Sequence, residues 1–161
     1  MAFKCSSQTC FQIEKSKTYA AIQNRVKIAD FLCLRKNNSA IWCVEARTSV
    51  AREAHPSRDR NQEISDIKDK LLNTFSLYVA MRLNRHSTAN ELPPEFKPPD
   101  LSTVEFQFVL VIAGEDDKDK LENIKEKLRK ALFPTIKTWH LGANPVIVLN
   151  ADGAREKGLI Q

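Results

Sequence analysis

Nothing in the sequence approaches the roughly 18 consecutive apolar residues that a membrane-spanning helix needs. Its first residues, Met1, Ala2, Phe3 and Lys4, lack the apolar centre of a secretory signal. The expectation is a cytoplasmic protein with no membrane contact. There is no G-x-x-x-x-G-K-[ST] phosphate loop and no G-x-S-x-G elbow, so neither nucleotide hydrolysis nor serine-hydrolase chemistry has support. Internal repeats are absent. Four cysteines are present, but Cys5 and Cys10 are not at C-x-x-C spacing and no histidine lies nearby to complete a tetrahedral zinc site.

What remains is a basic chain of ordinary domain size. With 161 residues and a formal net charge of +5, residues 1–161 are expected to fold as a single domain with a proper core and to favour an anionic partner. The stretch from Val26 to Thr48 carries the most information. If Asn37 and Asn38 form a two-residue turn, Lys36 opposes Ser39, and continuing the ladder sets Asp30 directly across from Glu45. Side chains alternate along a strand, so Arg47 projects from the same face as Glu45. That face also carries Ile28, Leu32, Leu34, Ile41 and Cys43, while Phe31, Cys33, Trp42 and Val44 occupy the reverse. A hairpin apolar on both sides belongs inside a covered sheet. In this register Cys33 and Cys43 leave opposite faces and cannot bridge, so reduced, buried cysteines are expected.

Two carboxylates opposed in an apolar setting repel and lose hydration, and they need a compensating cation. A hard divalent ion, Mg²⁺ with Mn²⁺ as a substitute, takes oxygen ligands from one or two carboxylates. The alternative is that Arg47 alone neutralises Asp30 and Glu45 as a structural cluster. Asp30, then a turn, then Glu45-Ala46-Arg47, resembles the PD-(D/E)XK nuclease superfamily, whose strand Asp and (D/E)-x-K hold Mg²⁺ and position water. The resemblance covers residues 8–113 by order of elements and three positions by motif. It implies a restriction-endonuclease-like α/β core, with a central mixed sheet flanked by helices. It also implies Asp30, Glu45 and the Ala46 carbonyl as metal ligands, and Asp30, Glu45 and Arg47 as catalytic residues. The chain departs from the family where Arg47 replaces the motif lysine. A guanidinium is always charged and cannot act as a base, though it can orient water or stabilise charge on phosphorus.

The rest of the chain supplies accessory candidates. Residues 9–14 alternate weakly as a first strand, with a turn or helix around residues 19–24; Glu14 is either a third acid or a solvated strand-end residue. Arg52, Arg58 and Arg60 lie in a loop after the hairpin and suit bidentate contact with nucleic-acid phosphates. A helix begins at Asp59 and Gln62 and runs to about Arg85, with Ile64, Ile67, Leu71, Phe75 and Tyr78 on one stripe. By the family pattern, Gln62 or Lys70 on that helix can stand in for the motif lysine; the simpler account pairs Lys70 with Asp66 one turn earlier. The proline-rich residues 86–103 read as an exposed connector. Val104 to Ala113 reads as a central strand, the segment after Gly114 as a second helix, and Val146 to Leu149 as a last strand, giving a parallel crossover. Residues 152–161 read as a mobile tail.

The function implied by the resemblance is Mg²⁺-dependent phosphodiester cleavage of nucleic acid, DNA being the favoured form. A second reading retains the nuclease fold without catalysis, as a nucleic-acid-binding or regulatory subunit of a restriction or antiviral defence assembly, in which a protein partner or second copy takes part. A third is a plain α/β interaction domain.

Overall fold

A computed structural model describes residues 3, 9–50, 60–97 and 100–160. It shows a five-stranded mixed sheet flanked by helices, and the strands lie in sequence order. β1 (Cys10–Phe11) pairs antiparallel with β2 (Phe31–Arg35), and β2 pairs antiparallel with β3 (Ala40–Arg47). β3 is parallel to β4 (Glu105–Ile112), which is parallel to β5 (Val146–Leu149). Each parallel step is made through a helix, α2 (Arg60–Arg82) and then α3 (Lys118–Thr138). Two short helices complete the fold, α1 (Lys17–Ala20) and α4 (Ala151–Glu156).

The hairpin has the expected register. Arg35 opposes Ala40, Cys33 opposes Trp42 and Phe31 opposes Val44, and Asp30 donates its N–H to Val44 O at 3.1 Å. Lys36, Asn37 and Asn38 all adopt positive φ. Asparagine tolerates that conformation well, and the tight turn it permits matches the twist of the two strands.

The apolar stripe of α2 is buried as read, with Ile64, Ile67, Leu71, Phe75 and Tyr78 at 5% exposure or less. These side chains and those of α3 cover one face of the sheet, meeting Leu32, Leu34, Ile41, Phe106, Phe108 and Leu110 in the larger core. Two polar residues of α2 dock the helix on the chain just before Asp30. Thr74 Oγ1 accepts from the Ala29 N–H at 2.7 Å, and Asn73 Nδ2 donates to Lys27 O at 2.9 Å.

Several expectations are corrected. The first strand is only two residues long, because the chain turns at once into a 3₁₀ turn at Ile13–Lys15 that buries Ile13. The connector is not exposed throughout. Two 3₁₀ turns, Ala89–Glu91 and Pro94–Phe96, fold it back so that Leu92 and Phe96 are buried. Tyr78 hydroxyl and Arg82 both donate to Phe96 O, at 3.0 and 3.1 Å. Nor is the tail a mobile one. Asn150 caps α4 by accepting from the Gly153 N–H at 2.8 Å, and Leu159 and Ile160 bury themselves beneath the reverse face of the sheet with Cys33, Trp42, Val44, Val109 and Val111. Phe3 and Ile160 form an isolated antiparallel bridge there. Cys33 and Cys43 are free and buried, on opposite faces as read, whereas Cys10 is disulfide-bonded, against the expectation of four reduced thiols. No helix among the described residues is long and apolar enough to cross a membrane.

Candidate active site

The site lies on the helix-covered face, where β3 leaves the sheet and α2 begins. Glu45 sits one residue beyond the Phe31–Val44 pair, on the same face as Asp30, and is 1% exposed. Asp30 is half-buried, and its Oδ2 accepts from the Ala46 N–H at 2.8 Å. The N–H and carbonyl of one residue in an extended strand face the same edge, so the Ala46 carbonyl faces the Asp30 side as well. Gly114 holds the exits of β3 and β4 together. Its N–H donates to Thr48 O at 2.8 Å, and a Cβ at this position would stand 2.6 Å from that oxygen.

Glu45 Oε1 carries two cations. Lys70 Nζ donates to it at 2.7 Å and Arg47 Nε at 3.2 Å. Arg47 Nη1 turns the other way and donates to Glu63 Oε1 at 2.9 Å. Glu45 Oε2 is buried without a hydrogen-bond partner. Burial pushes the Glu45 carboxyl above its ordinary value, against the Lys70 hydrogen bond that lowers it, and the neighbouring Asp30 charge raises it further. The pairing of Lys70 with Asp66 is corrected. Asp66 is exposed and takes its hydrogen bond from Gln62 Nε2 at 3.0 Å, while Lys70 reaches the sheet. A carboxylate in a low-dielectric interior holds a cation more strongly than an exposed one does, which decides the competition.

A cavity of about 300 Å³ opens beside these groups, lined by Glu14, Lys15, Asp30, Ala46, Arg47 and Thr48 among others. Glu14 is exposed as a residue, yet its carboxyl is raised, first by partial burial and then by a hydrogen bond and like charge from Asp30. The structure thus brings Glu14, Asp30, Glu45, Ala46, Arg47 and Lys70 together. It leaves Gln62 outside, bonded to Asp66 on the solvent side of α2. Arg52 and Arg58 fall outside the described residues. Arg60 is the first residue of α2 and half-buried.

Sequence reasoning missed Glu63, a buried carboxylate at 6% exposure. Its signal was its spacing. Glu63, Ile67, Lys70 and Thr74 follow one helical stripe, so a charge at position 63 points the same way as a core isoleucine. Among the described residues no group of three or more His, Cys, Asp or Glu side chains is disposed to hold a metal. The arrangement is instead a two-carboxylate one, and a hard divalent ion needs one or two protein carboxylates and completes its shell with water and phosphate. The unpartnered, buried Glu45 Oε2 beside Asp30 fits that requirement. No known family model, curated protein or solved structure matches this chain significantly.

Proposed function

We propose that the protein is a Mg²⁺-dependent nuclease of the PD-(D/E)XK type, with a restriction-endonuclease-like core, in which the role of the motif lysine has passed from the strand to Lys70 on α2. The observation that carries this reading is the Lys70 ammonium 2.7 Å from Glu45 Oε1 while Oε2 of the same buried carboxylate is without a partner. Asp30, Glu45 Oε2 and the Ala46 carbonyl are the groups that would hold Mg²⁺ or Mn²⁺. The chemistry such an ion supplies is neutralisation of a scissile phosphate and acidification of water. Lys70 fixes the Glu45 carboxylate in one orientation and, being only partly buried, presents further N–H donors for orienting water. Arg47 keeps a permanent charge beside the cavity, suited to negative charge developing on phosphorus. The net charge of +5 supports a polyanionic substrate, DNA in the first instance.

The test is cleavage of plasmid DNA and of single-stranded RNA with Mg²⁺ or Mn²⁺. Wild type cleaves, and Glu45→Gln and Lys70→Ala each lose about a hundredfold or more of the rate while remaining folded by circular dichroism. Undiminished cleavage by Glu45→Gln would refute the reading. The inactive, nucleic-acid-binding or regulatory module is the second reading. It is favoured by one observation, that two cations already pair with Glu45 Oε1 and can balance its charge without metal. That module would cleave nothing in any form, yet would bind nucleic acid at low salt with an affinity that falls steeply as salt rises.

A further inference from the structure

Arginine ordinarily grips a carboxylate with two parallel N–H groups, closing both oxygens at once. Arg47 does not. Its fork is divided, Nε going to Glu45 Oε1 at 3.2 Å and Nη1 to Glu63 Oε1 at 2.9 Å. Both carboxylates are buried and come from different elements, Glu45 from β3 and Glu63 from the first turn of α2. With one arm held by Glu63, the guanidinium has a single arm left for Glu45, and Glu45 Oε2 stays buried and unpartnered.

We infer that Glu63 is a positioning residue that divides the Arg47 fork and so keeps Glu45 Oε2 open for a divalent cation. Without this division, the arginine at the motif position would close both oxygens of Glu45 and stand in the cation's place. The device is what makes arginine compatible with cation binding at a position where lysine, a point charge with no fork, needs no such restraint. The inference rests on the nuclease reading for the role of Glu45 as a cation ligand, and it adds a residue that contacts neither cation nor substrate.

The test is calorimetric titration of Mn²⁺ into the whole chain without nucleic acid, with circular dichroism melting to establish folding. Wild type binds Mn²⁺. Glu63→Gln releases the Arg47 arm onto Glu45 and weakens Mn²⁺ binding about tenfold or more, the usual scale for residues that orient ligands. Adding Arg47→Lys to Glu63→Gln removes the fork and restores affinity near the wild-type value, a rescue that a merely structural role for Glu63 would not give. If Glu63→Gln does not fold, Glu63→Asp carries the same test, because its carboxylate is one methylene further from Arg47. It is expected to weaken binding and to be rescued by Arg47→Lys. Unchanged binding in the Glu63 variant, or a loss that Arg47→Lys does not reverse, overturns the inference while leaving the nuclease reading standing. Absence of Mn²⁺ binding by the wild type overturns both.

Discussion

Glu45 is the residue on which the cluster converges, and its energetics follow from burial. Desolvation raises its pKa, so the folded state takes up a proton before the unfolded chain does. Its contribution to stability is therefore least favourable at high pH and improves as pH falls through the raised value. Lys70 offsets this by holding the charged form. Removing it as Lys70→Met, in metal-free buffer, is expected to cost about 3 kcal/mol in urea unfolding, with Arg47 still paired. The loss should be larger at about pH 8 than at about pH 5, where protonation of Glu45 relieves the unpaired charge. A loss that is the same at both values would show that Glu45 is not the group Lys70 serves. The position of Lys70 was only half legible in the sequence. Its helix and its flank were readable, but Asp66 at the preceding turn offered a nearer acid, and only the packing of α2 on β3 decides between an exposed partner and a buried one.

Elements differ in how far sequence reveals them. The β2–β3 hairpin was legible because two asparagines mark its turn and the strands are apolar on both sides, so one register satisfies every position. The stripe of α2 was legible for the same reason, repeated over six turns of helix. The connector and the tail were not. Proline does break regular structure at residues 93–99, yet Leu92 and Phe96 are isolated apolar residues, and single residues carry no period. Leu159 and Ile160 likewise form a pair too short to announce burial. The tail nevertheless covers the reverse face of the sheet, which no long helix protects. Leu159→Ala, at a site 2% exposed, is expected to destabilise the fold by about 2–4 kcal/mol in urea. A change below about 0.5 kcal/mol, the usual size for a solvent-exposed substitution, would mean that the tail does not pack there.

At the scale of the whole molecule, the sheet order places the antiparallel hairpin beside two parallel strands, with α2 and α3 on one face and the C-terminal tail on the other. This puts the exit of β3, the entry to β2 and the first turns of α2 at one end of the sheet. Acids from two strands and a lysine from a helix meet there, although 14 to 40 residues separate them in sequence. The sequence showed the two strand acids because a hairpin is local. It did not show Glu63, whose partner Arg47 is reached only when α2 docks. The central claim is that Asp30 and Glu45 share a divalent ion. It is tested most directly by anomalous diffraction from crystals grown with Mn²⁺. The account predicts an anomalous peak within coordination distance of both Asp30 and Glu45 Oε2, with Lys70 still on Oε1 and Arg47 still divided between Glu45 and Glu63. No peak between the two carboxylates at saturating Mn²⁺, with Arg47 closed over both oxygens of Glu45, would contradict it.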